Sequence, residues 1–217
     1  EQQARYEKEY KKFEFLNQPR IIESNLKVEI YPAGRDFTAE GFYYLKNKSK
    51  QEIPEIHIQH NMDNQLSIDY VKFDRDAKVK DSNEDFRYYI YELGSPLLPG
   101  DSVKMNFKVS FNTRGFEEGG SNSDVVYNGT FFNNFYFPGL GYNSNFELGD
   151  DDDRKKQGLK EKERMLERND PRGLAMSLFG DDADHIRFEM IIGTDPNQVA
   201  IAPGYLQKDW AEEGRKY

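Results

Sequence analysis

The sequence predicts an all-β protein, an antiparallel β-sandwich with a helical N-terminal arm and a short helical insertion. Short segments of alternating apolar and polar residues recur along the chain, and polar turns rich in glycine, proline and asparagine separate them. No long amphipathic helix lies between these segments, which excludes a βαβ architecture. We place the arm at residues 1–19 and the sandwich at residues 20–217, with the helical insertion at about residues 151–168.

The arm has a helical pattern, because Tyr6, Tyr10 and Phe13 recur at the spacing of one helix face in an otherwise charged segment. Pro19 ends this helix, since a residue before proline is disfavoured in the helical conformation. Two interpretations remain open for the arm. It is either a solvated helix with one apolar stripe, or a stalk that joins the sandwich to an upstream membrane segment.

The strands follow the arm at short intervals. The first is the clearest, because Leu26, Val28 and Ile30 alternate with charged residues, and Pro32 and Gly34 supply the turn. Six further segments show strand patterns before and after the insertion: residues 37–45, 53–60, 67–73, 86–91, 102–111 and 186–192. An eighth strand is predicted at residues 198–202, where valine and isoleucine alternate with alanine.

The insertion begins with four acidic residues, 150–153, and three basic residues follow them. This order suits the dipole of a helix, which we expect to end before Pro171. Residues 172–184 have the composition of a long loop. A calcium-binding EF-hand is excluded, because Arg154 and Lys155 occupy the positions of a ligand and of the required glycine.

Composition excludes several classes of function. The chain has 39 acidic and 30 basic residues, a net charge of −9, so it would repel the phosphates of nucleic acids. It has no cysteine, which excludes disulfides, thiolate zinc sites and cysteine nucleophiles. No stretch reaches the roughly 20 apolar residues that a membrane-spanning helix needs.

The usual catalytic patterns are also missing. His57 and His60 lie on a predicted strand, where an odd separation directs two side chains to opposite faces, so they do not share a metal. The chain contains no His-Glu-x-x-His, no Gly-x-Ser-x-Gly and no phosphate-binding glycine loop. We therefore predict no catalytic residue, no metal ligand and no cofactor in this chain.

Residues 128–142, the aromatic loop, are the strongest candidate for a site, because they combine six aromatic rings with asparagines, glycines and one proline. Rings on a turn-rich backbone either close the edge of a core or line a concave surface. If the loop faces a substrate, the residues that would face it are Asn128, Thr130, Phe132, Asn134, Tyr136 and Tyr142. In the competing interpretation Phe131, Phe135 and Phe137 alternate into the core, with Phe132 and Tyr136 on the outer face.

Several stretches of the chain resemble one protein family. They are Asn128-Gly-Thr-Phe, Phe137-Pro-Gly-Leu-Gly-Tyr142 with Glu147, Leu148 and Arg154, the segment 98–116, and the segment 198–206 with Trp210, Gly214 and Arg215. Across residues 20–217 the chain resembles the N-terminal β-sandwich domain of zinc aminopeptidases related to aminopeptidase N, the M1 or gluzincin group. More narrowly, it resembles the form found in bacterial membrane proteins that join an ABC-2-type transporter permease to an aminopeptidase-like region.

The resemblance implies a non-catalytic domain that shapes a peptide cleft and supports the catalytic domain. The family's zinc-binding His-Glu-x-x-His and its Gly-x-Met-Glu-Asn substrate loop belong to that next domain and are not in this sequence. The family's glutamine or glutamate for a substrate's amino terminus has no clear match at residues 128–134. The implied zinc would therefore be held outside this chain.

The resemblance also implies partners and a location. The partners would be the downstream catalytic-type domain of the same protein and a peptide substrate, with no nucleic acid. Membrane contact would come only from segments outside this chain, and the location would be the bacterial cell envelope. Two alternatives remain: an extracytoplasmic protein-interaction module of a transporter, and a peptide- or carbohydrate-binding β-sandwich that uses the aromatic loop.

Overall fold

The computed structural model describes residues 1–113, 115, 122–162, 166–171, 174 and 184–217, and it confirms the all-β sandwich. A five-stranded sheet has the order β11-β1-β2-β7-β4, and a four-stranded sheet has the order β10-β3-β6-β5. The strands are β1 (Arg20–Tyr31), β2 (Asp36–Lys46), β3 (Ile53–Gln59), β4 (Leu66–Phe73), β5 (Ala77–Asn83), β6 (Tyr88–Leu97), β7 (Ser102–Phe111), β8 (Val125–Val126), β9 (Gly129–Thr130), β10 (Gly139–Leu140), β11 (Arg187–Gly193), β12 (Ala211–Glu212) and β13 (Arg215–Lys216).

Both large sheets contribute to one core. Leu26 and Phe107 from the five-stranded sheet and Ile56 and Leu97 from the four-stranded sheet are all buried in the same cluster. Alternate residues of a strand point to the same face of its sheet, so the alternating patterns of the sequence become two apolar faces packed on each other.

One strand pair departs from the predicted antiparallel arrangement. Strand β11 pairs with β1 in parallel, in a register that runs from Glu23 opposite Arg187 to Glu29 opposite Gly193. A parallel neighbour requires a long connection, and here the chain passes through β2 to β10 between β1 and β11. Periodicity within β11 could not reveal this, because parallel and antiparallel strands alternate their side chains alike.

The structure also lacks one predicted strand and contains a strand that the sequence did not predict. Residues 198–202 form no strand, because no neighbouring strand pairs with them, and Val199 and Ile201 remain exposed. Strand β5 was not predicted, because it is polar and mostly exposed. It is recognised only by its pairing with β6 at the edge of the four-stranded sheet.

The N-terminal arm is packed against the protein rather than solvated. It forms helix α1 (Gln2–Tyr10) and a 3₁₀ turn (Lys11–Phe13). Tyr6 and Tyr10 form a second core cluster with Phe86 and Tyr88 on the outer face of the four-stranded sheet. This sheet is thus buried on both faces, by the sandwich core and by α1.

The helical insertion is shorter than predicted. Helix α2 covers Asp151–Lys156, and Asp150 caps it by accepting a hydrogen bond from the Asp153 amide at 2.9 Å. Gly158, with φ of +68°, lies just beyond its end, and left-handed backbone is typical of a helix terminus. Residues 159–162 are not helical, and most of the predicted loop 172–184 lies outside the described residues. No helix among the residues described is long and apolar enough to cross a bilayer.

Candidate functional site

The aromatic loop is a series of short turns against the edge of the four-stranded sheet. After β9, Asn133 accepts a hydrogen bond from the Phe135 amide at 2.9 Å and starts a 3₁₀ turn (Asn134–Tyr136). Strand β10 then pairs with β3, with Gly139 opposite Gln59. A Cβ atom at Gly139 would lie 3.3 Å from the Gln59 carbonyl oxygen, so a side chain here would crowd this close approach. These turns fix which rings point inward.

The loop inserts a different set of rings into the core than strand alternation would. Phe132 stacks on Phe37 with their ring centroids 4.5 Å apart, and Tyr136 and Phe137 are buried beside it. Phe131 is 82% exposed and Phe135 is 40% exposed. The proposed inward alternation of Phe131, Phe135 and Phe137 is therefore wrong except for Phe137. The physical reason is that residues 131–133 lie outside any strand and a 3₁₀ turn follows them, so the two-residue alternation of a strand does not extend through this stretch.

Two residues predicted to face a substrate instead pack inward: Tyr136 is buried in the core, and the partly buried Phe132 packs against the core. Phe132 packs on Phe37, and the Tyr136 hydroxyl donates to Asp124 at 2.6 Å and accepts from the Asn122 amide at 2.8 Å. Burial raises the pKa of Tyr136 above its usual range. These contacts hold the loop in place.

The other four predicted residues have different positions. Tyr142 stacks on Tyr6 at 5.3 Å and donates a hydrogen bond to Glu147 at 2.9 Å, so it fastens the loop to α1. Thr130 is half-buried, whereas Asn128 and Asn134 are exposed. Of the six, Asn134 lines the pocket described next. A substrate-facing role for Asn128, Thr130 and Asn134 stays a prediction.

A pocket of about 140 Å³ opens between the aromatic loop and the end of β3, and we call it the His60 pocket. It is lined by uncharged side chains and one glycine: Gln59, His60, Asn61, Asn134, Phe135, Phe137, Gly139, Asn143, Asn145 and Phe146. No aspartate, glutamate, lysine or arginine lines it. The pocket thus combines amide groups with aromatic rings and carries no formal charge.

His60 is the buried titratable group of this pocket. Its ring lies 5.2 Å from the Tyr89 ring, and its Nδ1 atom has no hydrogen-bond partner among the described residues. Burial, and secondarily the charge of Arg87, lowers the pKa of His60 to about 3. The imidazole is therefore neutral at ordinary pH and has one donor and one acceptor nitrogen.

Gln59 adds an unpaired oxygen to the same region. Its Nε2 donates to the carbonyls of His60 at 2.7 Å and Phe86 at 2.8 Å. Because both partners are acceptors, they fix which end of the amide is nitrogen. The Oε1 atom is buried without a hydrogen-bond partner among the described residues. Buried acceptors are normally paired, so this oxygen is one of the uncommon exceptions.

Sequence reasoning singled out His60 for its spacing to His57 but did not associate it with the aromatic loop. The two histidines do lie in different environments. His57 Nδ1 is 2.9 Å from the Tyr88 hydroxyl, and the His57 ring lies against Phe13 of the arm. Among the described residues no three histidine, aspartate or glutamate side chains form a group that would hold a metal ion. The polar residues Gln59 to Asn61, at and just after the end of β3, are the signal that could have pointed to the pocket.

Comparison with protein-family models finds no match, and neither does comparison with curated protein sequences. Among solved structures, the chain is similar to an M1 zinc metallopeptidase from Deinococcus radiodurans, with 12% identity and a TM-score of 0.49. It is also similar to a mutant two-domain M1 zinc metallopeptidase bound to L-arginine, with 10% identity and a TM-score of 0.49.

In both comparisons the alignment covers 92% of this chain and 38% of the other chain. This chain therefore spans well under half of the proteins to which it is similar. TM-scores below 0.5 do not establish a common fold, so membership of this chain in the M1 group is a proposal.

Proposed function

We propose that this chain is the non-catalytic N-terminal β-sandwich domain of an M1-type, aminopeptidase-like protein. In this role it supports a catalytic-type domain that follows it and forms one wall of a peptide cleft. Zinc and the reacting groups would belong to the following domain. The motifs of the sequence suggest this family, and one surface feature carries the proposal: an exposed apolar segment at residues 199–206.

The apolar segment has no regular secondary structure, yet its large side chains are apolar and point into solvent. Val199 is 74% exposed, Ile201 89%, Tyr205 94% and Leu206 83%. Burying one such side chain contributes about 1.5–3 kcal/mol, so four of them supply a substantial contact. Exposed apolar patches of this kind mark surfaces that bind another domain or protein.

Both ends of the apolar segment are held by the sandwich. Just before it, Gln198 accepts a hydrogen bond from the Thr194 hydroxyl at 3.0 Å. Just after it, Trp210 stacks on Tyr217 at 5.2 Å and exchanges two backbone hydrogen bonds with it. Thr194 also pairs with Lys216 through their backbones, which fastens the β12–β13 hairpin to the end of β11. A segment anchored at both ends loses little conformational freedom when a partner covers it.

The apolar segment begins beside the aromatic loop. The Gln198 side chain donates a hydrogen bond to the Tyr127 carbonyl at 2.6 Å, immediately before the loop. Tyr127 and Phe131 are themselves exposed. A domain that covered the apolar segment would therefore adjoin the start of the loop, which is the arrangement that a loop at the margin of a cleft requires.

Hydrogen exchange tests the docking. In the full-length protein, the backbone amides of residues 199–206 should exchange at least about tenfold more slowly than in this chain alone, because a docked surface excludes water. The exposed Val79 on the edge strand β5 gives an internal reference outside the proposed contact. Equal exchange of the apolar segment in both proteins would refute the docking.

Zinc content and aminopeptidase activity test the catalytic context. We expect the full-length protein to bind zinc and to remove amino-terminal residues from peptides, and this chain alone to do neither. If the full-length protein also lacks zinc and activity, the proposed support of a catalytic domain is wrong. The transporter interaction module then becomes the better explanation of the apolar segment.

We further propose that the whole protein lies in the bacterial cell envelope, anchored by a permease of the ABC-2 type. The resemblance of the sequence to bacterial proteins that join a permease to an aminopeptidase-like region supports this location. Fractionation of cells that express the full-length protein tests it: membrane association that resists high salt and alkali is expected. Recovery of the full-length protein in the soluble fraction would contradict the membrane anchor.

A further inference from the structure

The His60 pocket has chemistry that a peptidase-supporting domain does not require. Its lining offers hydrogen-bond acceptors and donors close together, and aromatic rings beside them, without any charge. An uncharged lining gives no counter-ion to the ammonium or carboxylate end of a peptide, or to a phosphate. The preferred ligand is therefore neutral and rich in groups that both donate and accept hydrogen bonds.

The donors come from asparagine side chains whose oxygens are already used. Asn61 Oδ1 accepts from the Asp63 amide at 2.9 Å, and Asn143 Oδ1 accepts from the Asn145 amide at 3.0 Å. Their amide NH₂ groups make no hydrogen bond among the described residues, and each can donate two. Gln59 Oε1 and His60 Nδ1 add two buried atoms without partners. Hydroxyl groups match this mixture, because each one donates and accepts.

The size and walls of the pocket restrict the ligand further. A cavity of about 150 Å³ accommodates a six-membered ring such as benzene, and the His60 pocket has about 140 Å³. Phe135 and Phe146 provide ring faces and edges for the C–H groups of such a ring.

We propose that the His60 pocket binds one uncharged pyranose sugar residue, such as the end or a branch of a neutral glycan. The sugar ring packs against Phe135 and Phe146, and the asparagine amides donate to its oxygens. Gln59 and His60 also line the pocket, and their Oε1 and Nδ1 atoms are buried without hydrogen-bond partners among the described residues. This site is independent of the apolar segment and of the proposed catalytic context.

Nuclear magnetic resonance of this chain tests the proposal directly, because the chain has only three histidines and their ring signals can be assigned. The probes are methyl glucoside, methyl galactoside, methyl mannoside and N-acetylglucosamine, added one at a time. At least one should shift the His60 ring signals in a saturable way and leave those of His57 unchanged. Glucuronic acid and an uncharged, end-capped tri-alanine peptide are the comparison ligands.

Two matched variants identify the pocket. Asn134→Ala removes an exposed amide that lines it, and Asn128→Ala removes an exposed amide of the same loop that does not. Loss of one hydrogen bond should weaken sugar binding about fivefold in Asn134→Ala. Asn128→Ala should bind as the unchanged chain does, and both variants should keep the spectrum of a folded protein.

Three outcomes would overturn the proposal. The first is that no sugar shifts the His60 signals, which leaves a pocket that holds water only. In the second, the capped peptide shifts them and the sugars do not, so that the ligand is a peptide. The third is equal sugar affinity in the two variants, which places binding elsewhere. None of these results affects the docking test at the apolar segment, so the two proposals fail separately.

Discussion

Among the ion pairs of the described residues, Glu7 and Arg154 form the most deeply buried one. The two nitrogens Nη1 and Nη2 of Arg154 each lie 2.7 Å from a carboxylate oxygen of Glu7, and both side chains are almost fully buried. Arg154 also donates to the carbonyls of Leu148 and Lys160. The guanidinium thus connects α1, α2 and the chain on either side of α2, and Glu7 raises the pKa of Arg154 further.

Breaking this pair should destabilise the protein, because the remaining partner would be a buried, uncompensated charge. We expect Arg154→Met to lower the free energy of unfolding by about 3 kcal/mol. Urea denaturation measures the change. The exposed pair Asp153–Lys156 on the same helix is the control, and Lys156→Met should leave the midpoint nearly unchanged. A small effect of Arg154→Met would show that the pair contributes little to the docking of α1.

The low pKa of His60 predicts that the stability of the protein depends on pH. Its pKa is about 3 in the folded chain, below the usual 6.5. Between these values the unfolded chain binds a proton that the folded chain does not, so stability falls as the pH falls. From pH 6.5 to pH 5 this loss amounts to about 2 kcal/mol. His57, whose pKa burial also lowers, acts in the same direction.

Chemical denaturation at pH 6.5 and pH 5 measures this dependence. His60→Gln should lose less stability over that interval than the unchanged chain, whatever its stability at pH 6.5. The His60 ring signals of the folded protein should not titrate above pH 4. An identical pH dependence in the variant, or titration near pH 6, would contradict the buried neutral state of His60.

At the scale of elements, α1 is held by rings rather than by its own helical propensity. Tyr6 contacts Tyr10, Phe86, Tyr142 and Phe146, and its hydroxyl accepts a hydrogen bond from the Asn143 amide at 3.0 Å. A nine-residue helix is marginal in isolation, so these contacts provide most of its stability. Through the same contacts, α1 supports the segment that carries Asn143 and Asn145.

Tyr6→Ala should therefore destabilise the protein by about 3–4 kcal/mol, because it removes a fully buried ring and leaves a cavity. Thermal unfolding followed by circular dichroism provides the measurement. Phe15→Ala changes another aromatic residue of the arm, but this ring is 91% exposed, and the melting temperature should stay the same. Equal effects of the two changes would mean that α1 is not docked in solution as described.

At the scale of the whole molecule, the four-stranded sheet is the central layer. One face packs on the five-stranded sheet in the main core, and the other carries Phe86, Tyr88 and Ile90 against α1. The aromatic loop closes one edge of this layer through β10. The apolar segment lies outside these layers, so its large side chains add little to the stability of the fold.

Replacing Ile201 and Leu206 together by aspartate should leave the unfolding midpoint of this chain nearly unchanged. The same change should reduce self-association, because an exposed apolar surface promotes contact between copies. Sedimentation velocity over a range of concentrations measures the second effect. Val79→Asp with Leu98→Asp removes two exposed apolar side chains elsewhere and serves as the control. If both double variants associate equally, the apolar segment is not the responsible surface.

The strands of the sandwich could be predicted because their patterns are local. Strands β2, β3, β4, β7 and β11 lie within about one residue of the predicted segments, since an alternating strand must bury one face. Residues 198–202 show the limit of this reasoning. Their alternation is real, but a strand also needs a neighbour with which to pair its backbone, and the sequence does not show whether one exists.

The candidate site could be predicted only in part. The unusual composition of the aromatic loop indicated its importance, and Asn134 does line the His60 pocket. Gln59 and His60 could not be assigned to the same site, because they lie at and just after the end of β3, more than 70 residues earlier in the chain. The directions of the rings also differ from strand alternation, since residues 131–136 form no strand and end in a 3₁₀ turn.

The sequence by itself determined the all-β class, the positions of most strands, the lack of thiol chemistry and the acidic start of α2. These properties depend on composition and on contacts within a few residues. Only the tertiary structure decided the parallel pairing of β11, the burial of α1, the uncharged lining of the His60 pocket and the exposure of residues 199–206. These depend on which distant segments meet, because burial and hydrogen bonding are settled by the neighbours in space.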